Sequence, residues 1–282
     1  MKNPKRIEKI VFSFLFLSTC LIVVPVGFIV LIVVIKGLPA INWQFLTDVP
    51  REGMRAGGIF PAIIGTIYLV IGAILFALPV GIFAAIYLSE YSKDNFLTRI
   101  IKLAIVNLAG VPSVVYGLFG FSLFVIFFKF GASILSGSLT LGIMILPIII
   151  TASREALESV PYSFREVSWS LGASKWQTIR SVVLPNAISG IITGSILGIG
   201  RAAGETAPIL FTVAAFYLPQ LPRSIFDQAM ALPYHLYVIS TQVPNVEEKI
   251  RYGTALILLM LVLCMNLIAI IIRYRLRKRK TW

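Results

Sequence analysis

Arg201 and Glu205 stand four residues apart in the run Gly200-Arg201-Ala202-Ala203-Gly204-Glu205-Thr206-Ala207-Pro208, inside an otherwise apolar stretch. A guanidinium is a planar, permanently charged fork that matches the oxygens of a carboxylate or a small oxyanion. Two chemistries are open to the pair. In one, Arg201 meets an anion, Glu205 neutralises the guanidinium when no anion is there, and the Thr206 hydroxyl lies adjacent. In the other, the two side chains only pair with each other and staple helices together, although Arg before Glu is the less favourable order at this spacing. No GxxxxGK[ST] phosphate loop occurs, and no Ser/His/Asp or Cys/His set converges. His235, the single histidine, reads as a packed side chain. Cys20 and Cys264 sit in apolar runs and read as inert packed thiols, with no metal-ligand spacing around them. The chain is therefore expected to be no enzyme and to carry no metal or cofactor of its own.

The elements that hold this pair must be membrane spans. The 282 residues are 58% hydrophobic and only 13% charged, with mean hydropathy +0.91, whereas soluble domains carry about 25% charged residues. The net charge of +13 does not point to nucleic acid. Six of the eight residues from Arg273 to Lys280 are basic and come directly after an apolar run, the pattern of a flank beside anionic lipid. At the other end, Lys2, Lys5, Arg6 and Lys9 precede an apolar run from Ile10 to Ile35. That run is too long for the core of a signal peptide and reads as a retained first helix.

Six spans are expected: 10–35, 59–88, 100–128, 138–152, 187–217 and 253–272. The third carries Gly110, Pro112, Ser113 and Gly117 and is expected to be locally unwound. The fourth is short and is expected to extend into the next element. Between the fourth and fifth lies a charged loop, Ser153 to Asn186. The connections and termini on one side carry seventeen Lys and Arg, and those on the other carry seven. By the positive-inside rule, both termini and the 154–186 loop are cytoplasmic.

On a helical wheel, Gly190, Gly194, Gly198, Arg201, Glu205 and Pro208 fall within an arc of about 80°. Small residues at every fourth position let another helix approach closely. A charge at the bilayer centre costs about 2.5–3.5 kcal/mol on insertion scales, so the pair is expected to face a neighbouring helix or a wet path rather than lipid.

In the loop, Phe164, Val167, Leu171 and Ser174 fall near one helical face. Gly172 is expected to end a first short helix, and a second is expected from Ala173 to about Leu184-Pro185. Two short helices around a glycine corner make a compact knob, either an amphipathic interfacial segment or a dock for a soluble protein. The spacing is Glu166-Val167-Ser168, three residues, Gly172, nine residues, Val182, one residue, Leu184-Pro185. This resembles the EAA loop of ABC importer permeases, with Val167, Ser168 and Val182 departing from the family residues. The resemblance implies a coupling helix that enters a groove on an ATPase subunit. Glu166, Gly172, Ala173 and Trp176 become the docking candidates.

The runs 200–208, GGIFPAIIGT (57–66), VPSVVYGLFG (111–120) and MALPYHLY (230–237) resemble the PstA-type permeases of phosphate importers. That resemblance implies an all-α membrane fold of six transmembrane helices, the type I (MetI-like) permease fold. It also implies transport of inorganic phosphate driven by a partner ATPase. The implied partners are a homologous PstC-like permease, PstB-like ATPase subunits that hold ATP and Mg, and an extracytoplasmic PstS-like phosphate-binding protein, besides membrane lipid. The substrate path would carry Arg201, Glu205 and Thr206. The expected organisation is a first helix with an external segment (1–58), a permease core (59–273) and a basic cytoplasmic tail (274–282). Two other readings stay open on the residues: an ion-coupled secondary carrier with Glu205 as a proton site, and a scaffold that assembles the ATPase without transporting. The residues alone do not separate phosphate from sulfate or molybdate.

Overall fold

The computed structural model describes residues 4–278; of the basic residues near the two termini, Lys2, Arg279 and Lys280 lie outside the described residues. The chain begins with α1 (Pro4–Gly37) and a short α2 (Trp43–Thr47), whose first turn is capped by the Asn42 side chain. A small antiparallel hairpin comes next, β1 (Pro50–Arg51) with β2 (Ala56–Gly57), pairing Pro50 with Gly57. It leads into α3 (Phe60–Ile86), α4 (Phe96–Ala109), α5 (Ser113–Gly120) and α6 (Ile134–Glu158). Then come α7 (Tyr162–Ser170), α8 (Lys175–Thr178), α9 (Leu184–Gly204), α10 (Ala207–Thr212), α11 (Leu232–Thr241) and α12 (Glu248–Lys278). Wider helical turns extend α3 to Tyr91 and α5 to Phe127, and join α8 to α9 across Ile179–Val183.

Five stretches are long and apolar enough to cross a bilayer: Val11–Ala40, Phe60–Tyr91, Ile134–Glu158, Lys175–Gly204 and Glu248–Arg275. The α4–α5 pair supplies a sixth, bent by 103°. Pro112 explains where it bends. It has no N–H to give the carbonyl of Leu108, and its ring excludes a straight helix there. The Leu108 carbonyl accepts instead from the Val111 N–H at 3.1 Å and, across the break, from the Tyr116 hydroxyl at 2.7 Å.

Several sequence expectations change. The fourth span extends into the next element as expected, running on to Glu158, but it also starts earlier, at Ile134. The second knob helix does not end near Leu184-Pro185. It continues through Pro185 into α9, because a proline in the first helical turn gives up only a donor that the wider turn already leaves free. The fifth span does not run to Tyr217 but stops at Gly204. Cys264 is not packed but exposed on α12, and Cys20 is partly buried; both are free thiols.

The core is a tight pairing of α3 and α6. A Cβ at Gly72 would meet Ser138, one at Gly81 would meet Ile149, and one at Gly142 would meet the Phe76 ring. The sequence positions in contact rise together along both helices, so the two run in the same direction. At the α7 end, Ala85, Ile86, Leu157, Val160, Ile179 and Val183 form a second apolar cluster that ties α3, α6 and the start of α9 together. The apolar surface of α1 is exposed almost throughout, as befits a lipid-facing helix. Close to its end, Gly37 packs against the Tyr252 carbonyl of α12.

Candidate functional site

Arg201 lies in the last turn of α9 and Glu205 just beyond it, with extended backbone (φ −79°, ψ 136°). The wheel that put both on one continuous helix, with Pro208, is therefore corrected. Pro208 is the cause: four residues after Gly204, it cannot donate to the Gly204 carbonyl and its ring collides with it. The helix stops, and Thr206 becomes the residue that starts α10. The pair survives the break, with Arg201 Nε 3.5 Å from Glu205 Oε1 and side chains 30% and 20% exposed. Among the described residues the guanidinium has no hydrogen-bonded partner beyond this one loose ion pair, so its two terminal nitrogens stay free for an incoming acceptor.

Three of the glycines of α9 meet α6. A Cβ at Gly194 would lie 2.5 Å from the Ala152 methyl, one at Gly190 would strike Ala156, and one at Gly198 would lie 3.5 Å from Ile149. On its other side α9 faces α12, where Arg273 Nη1 donates to the Thr193 hydroxyl at 3.0 Å. A second interrupted helix comes to the same place. Gly117 of α5 packs on α10, where a Cβ would lie 3.0 Å from the Ala207 carbonyl oxygen and 3.1 Å from Pro208 Cα. Tyr116, one residue earlier, lies within electrostatic reach of Arg201. The α4–α5 bend and the α9–α10 break therefore adjoin around Arg201. Interrupted helices that free backbone groups inside a bundle are the usual setting of substrate sites in membrane transporters.

At the opposite end of α9 stands the knob. Gly172 adopts φ +83°, a left-handed turn that favours glycine, and ends α7. Ser174 then caps α8, its hydroxyl accepting from the Gln177 backbone while Gln177 Oε1 accepts from the Ser174 backbone. Glu166, Gly172 and Trp176 are exposed, and Ala173 is half-buried. Leu171 is 82% exposed and Val167 and Tyr162 are also largely exposed, leaving an apolar cap on the knob. From Lys175 the helix runs unbroken to Gly204. Along this one helix Trp176 and Arg201 stand roughly 35–40 Å apart.

Sequence reasoning missed the anchor of this knob. Arg165 turns inward rather than to solvent, and its Nη2 lies 2.6 Å from Glu90 Oε1, with side chains 7% and 8% exposed. Its Nε donates to Glu90 Oε2 at 3.3 Å, and Nη1 and Nη2 donate to the carbonyls of Val160 and Leu157 at 2.8 and 3.0 Å. Glu90 lies in the wider helical turn that ends the second span, 75 residues away, and only its sign hinted at the match. The Ser168 and Thr178 hydroxyls, 2.9 Å apart, close the knob.

His235 is buried in α11 with its Nδ1 unpartnered, and burial pushes the imidazole down to about 4. Among the described residues no three His, Cys, Asp or Glu side chains gather as metal ligands.

Residues 77–282 match the family described as binding-protein-dependent transport system inner membrane component. The phosphate transport system permease protein PstA of Mycobacterium leprae is 36% identical over 98% of this chain and 91% of its own. The probable ABC transporter permease protein YqgI of Bacillus subtilis is 34% identical over 84% of this chain and 85% of its own. Among solved structures, a bacterial ABC transporter involved in the import of the acidic polysaccharide alginate superposes with TM-score 0.64, covering 96% of both chains at 15% identity. At that identity the likeness bears on the fold alone. The chain belongs to the family of binding-protein-dependent inner membrane transport components; it is a permease subunit and not an enzyme.

Proposed function

We propose that this permease conducts inorganic phosphate in an ATP-driven importer and that Arg201 is the contact the anion meets on its way. One observation carries the role of Arg201: a guanidinium held by a single loose ion pair, beside two interrupted helices, with its terminal nitrogens unspent. The identity of the anion is supported by relatives named as phosphate permeases that match nearly the whole chain.

In this reading Glu205 balances Arg201 while the path is empty. An arriving oxyanion replaces the carboxylate with a bidentate contact, and Glu205 returns as the anion leaves. The exchange keeps binding weak enough for release. The Thr206 hydroxyl, at the start of α10, lies at the edge of the same break. ATP and Mg stay on the partner ATPase. That subunit docks on the knob through Glu166, Gly172, Ala173 and Trp176, with the exposed Val167 and Leu171 as apolar contacts. Its closure moves α7 and α8 as a body, and the rod into α9 carries the movement to Arg201.

The other partners are a PstC-like second permease, PstB-like ATPases and a PstS-like binding protein. The excess of Lys and Arg on the knob side supports a cytoplasmic location for the knob and both termini. The division into 1–58, 59–273 and 274–282 belongs to the same reading. The experiment is phosphate uptake into vesicles that contain the complete importer. Arg201→Gln is expected to lower uptake about tenfold to a hundredfold, the worth of a charge-assisted hydrogen bond, with the ATPase still bound. Unchanged uptake would overturn the role of Arg201. Competition by sulfate or molybdate as strong as by phosphate itself would overturn the choice of phosphate.

A further inference from the structure

A trough of about 580 Å³ opens between α3 and α6 at the end of the bundle away from the knob. Its walls are apolar: Ile71, Leu75 and Phe76 from α3, with Leu135 and Leu139 from α6. Its open side is broad, for Tyr68, Ile71 and Leu75 are 46%, 48% and 70% exposed. The far end is closed by the segment 222–225, which is tied to α6 by the Leu135 N–H donating to the Ile225 carbonyl at 2.9 Å.

That segment brings a cation. Asp227, the nearest carboxylate in sequence, is occupied by backbone: its Oδ2 accepts from the N–H groups of Arg223 and Ser224 at 2.8 and 2.9 Å. The Arg223 guanidinium forms no ion pair among the described residues. The trough is therefore amphiphilic along its length. A cation and the Tyr68 phenol lie toward the loop end of the bundle, and aliphatic walls lead inward along α3 toward its middle. That polarity matches a bilayer lipid, whose charged head sits at the interface and whose tail points to the midplane. A soluble anion would have no use for the aliphatic walls, and an apolar helix would leave Arg223 uncompensated.

We propose that this trough binds an anionic phospholipid, with one acyl chain along α3 and α6 and the phosphate on Arg223. The site is separate from Arg201 and does not depend on which ion is carried. Native mass spectrometry of the intact importer, loaded with phosphatidylglycerol or phosphatidylcholine, tests it. The wild type is expected to retain phosphatidylglycerol in preference to phosphatidylcholine. Arg223→Gln is expected to reduce that preference about tenfold, the loss of one charge-assisted contact. Ile71→Trp, which fills the trough from its exposed side, is expected to lower retention of both lipids. ATPase subunits retained in the same spectra show that each variant is assembled, and Arg201→Gln is expected to leave lipid retention unchanged. The proposal is overturned by an undiminished preference in Arg223→Gln or undiminished retention in Ile71→Trp. It is also overturned if inorganic phosphate displaces the lipid, or if a cysteine at 71 cross-links to another chain of the importer.

Discussion

Among the arginine–glutamate pairs of the described residues, two are built in opposite ways, Arg165–Glu90 and Arg201–Glu205. Arg165 and Glu90 are sealed: 2.6 Å apart and less than a tenth exposed, with two further guanidinium N–H groups donating to the carbonyls of Val160 and Leu157. Arg201 and Glu205 touch at one atom pair, 3.5 Å apart, and remain partly accessible. The same two residue types make a rivet in one place and an openable contact in the other. A buried pair held by several hydrogen bonds cannot exchange partners without stranding charge, so it suits the part that must move as a rigid body. An under-satisfied pair keeps donors in reserve, and that suits a path through which an anion must pass and leave.

The comparison breaks most easily at the rivet. Arg165→Met leaves the buried Glu90 without its partner and should cost about 3–5 kcal/mol. Thermal unfolding of the purified complex should show a large drop, and the ATPase should be lost from the knob. Adding Glu90→Leu should restore much of both. By contrast, Arg201→Met should change stability by about 1 kcal/mol or less. A loss as large as that at Arg165 would mean that the two pairs are the same kind of object. Next in size is Gly194→Leu, which drives a side chain into the Ala152 methyl and should cost about 1–3 kcal/mol by overpacking. Its unfolding midpoint and its uptake should fall together.

Tyr116→Phe sharpens the comparison further. It removes one hydrogen bond across the 103° bend, worth about 1 kcal/mol, so stability should move little. Because the bend adjoins Arg201, uptake should fall by more than stability accounts for, with ATPase binding intact. The smallest effect at neutral pH belongs to His235. Its imidazole is held down to about 4 in the folded chain, whereas the unfolded chain takes up the proton near 6.5. Its share of stability is complete above about pH 6.5 and is lost as pH falls toward 4. His235→Gln should flatten the acid side of the unfolding curve over that window and leave uptake at pH 7 unchanged.

Much of this was legible in the residues, for reasons that differ by place. Apolar run length announced the spans, and the spacing from Glu166 to Pro185 announced the knob. The glycine period of α9 foretold the close approach of a neighbouring helix, which is α6. Reading failed where a local rule met a competing one. Arg201 and Glu205 looked like a helical i,i+4 pair because the wheel assumed a helix that Pro208 forbids at Gly204. Pro185 looked like a stop because its place inside a wider turn is not visible in one dimension. The Arg165–Glu90 contact joins residues 75 positions apart, and no local period reports such a partner. From sequence, Arg165 enters only the count of Lys and Arg in the 154–186 loop.

In the proposed function the loose pair serves an anion and not merely the packing of two helices. Exchanging the two residues, Arg201→Glu with Glu205→Arg, tests it most directly, because the exchange keeps an ion pair across the break but moves the guanidinium off α9. Uptake would be measured in vesicles holding the complete importer, with unfolding followed on the same preparations. The account predicts near-native stability and ATPase binding with phosphate uptake lost. Uptake restored to the wild-type rate by the exchange would contradict it and leave the pair a staple.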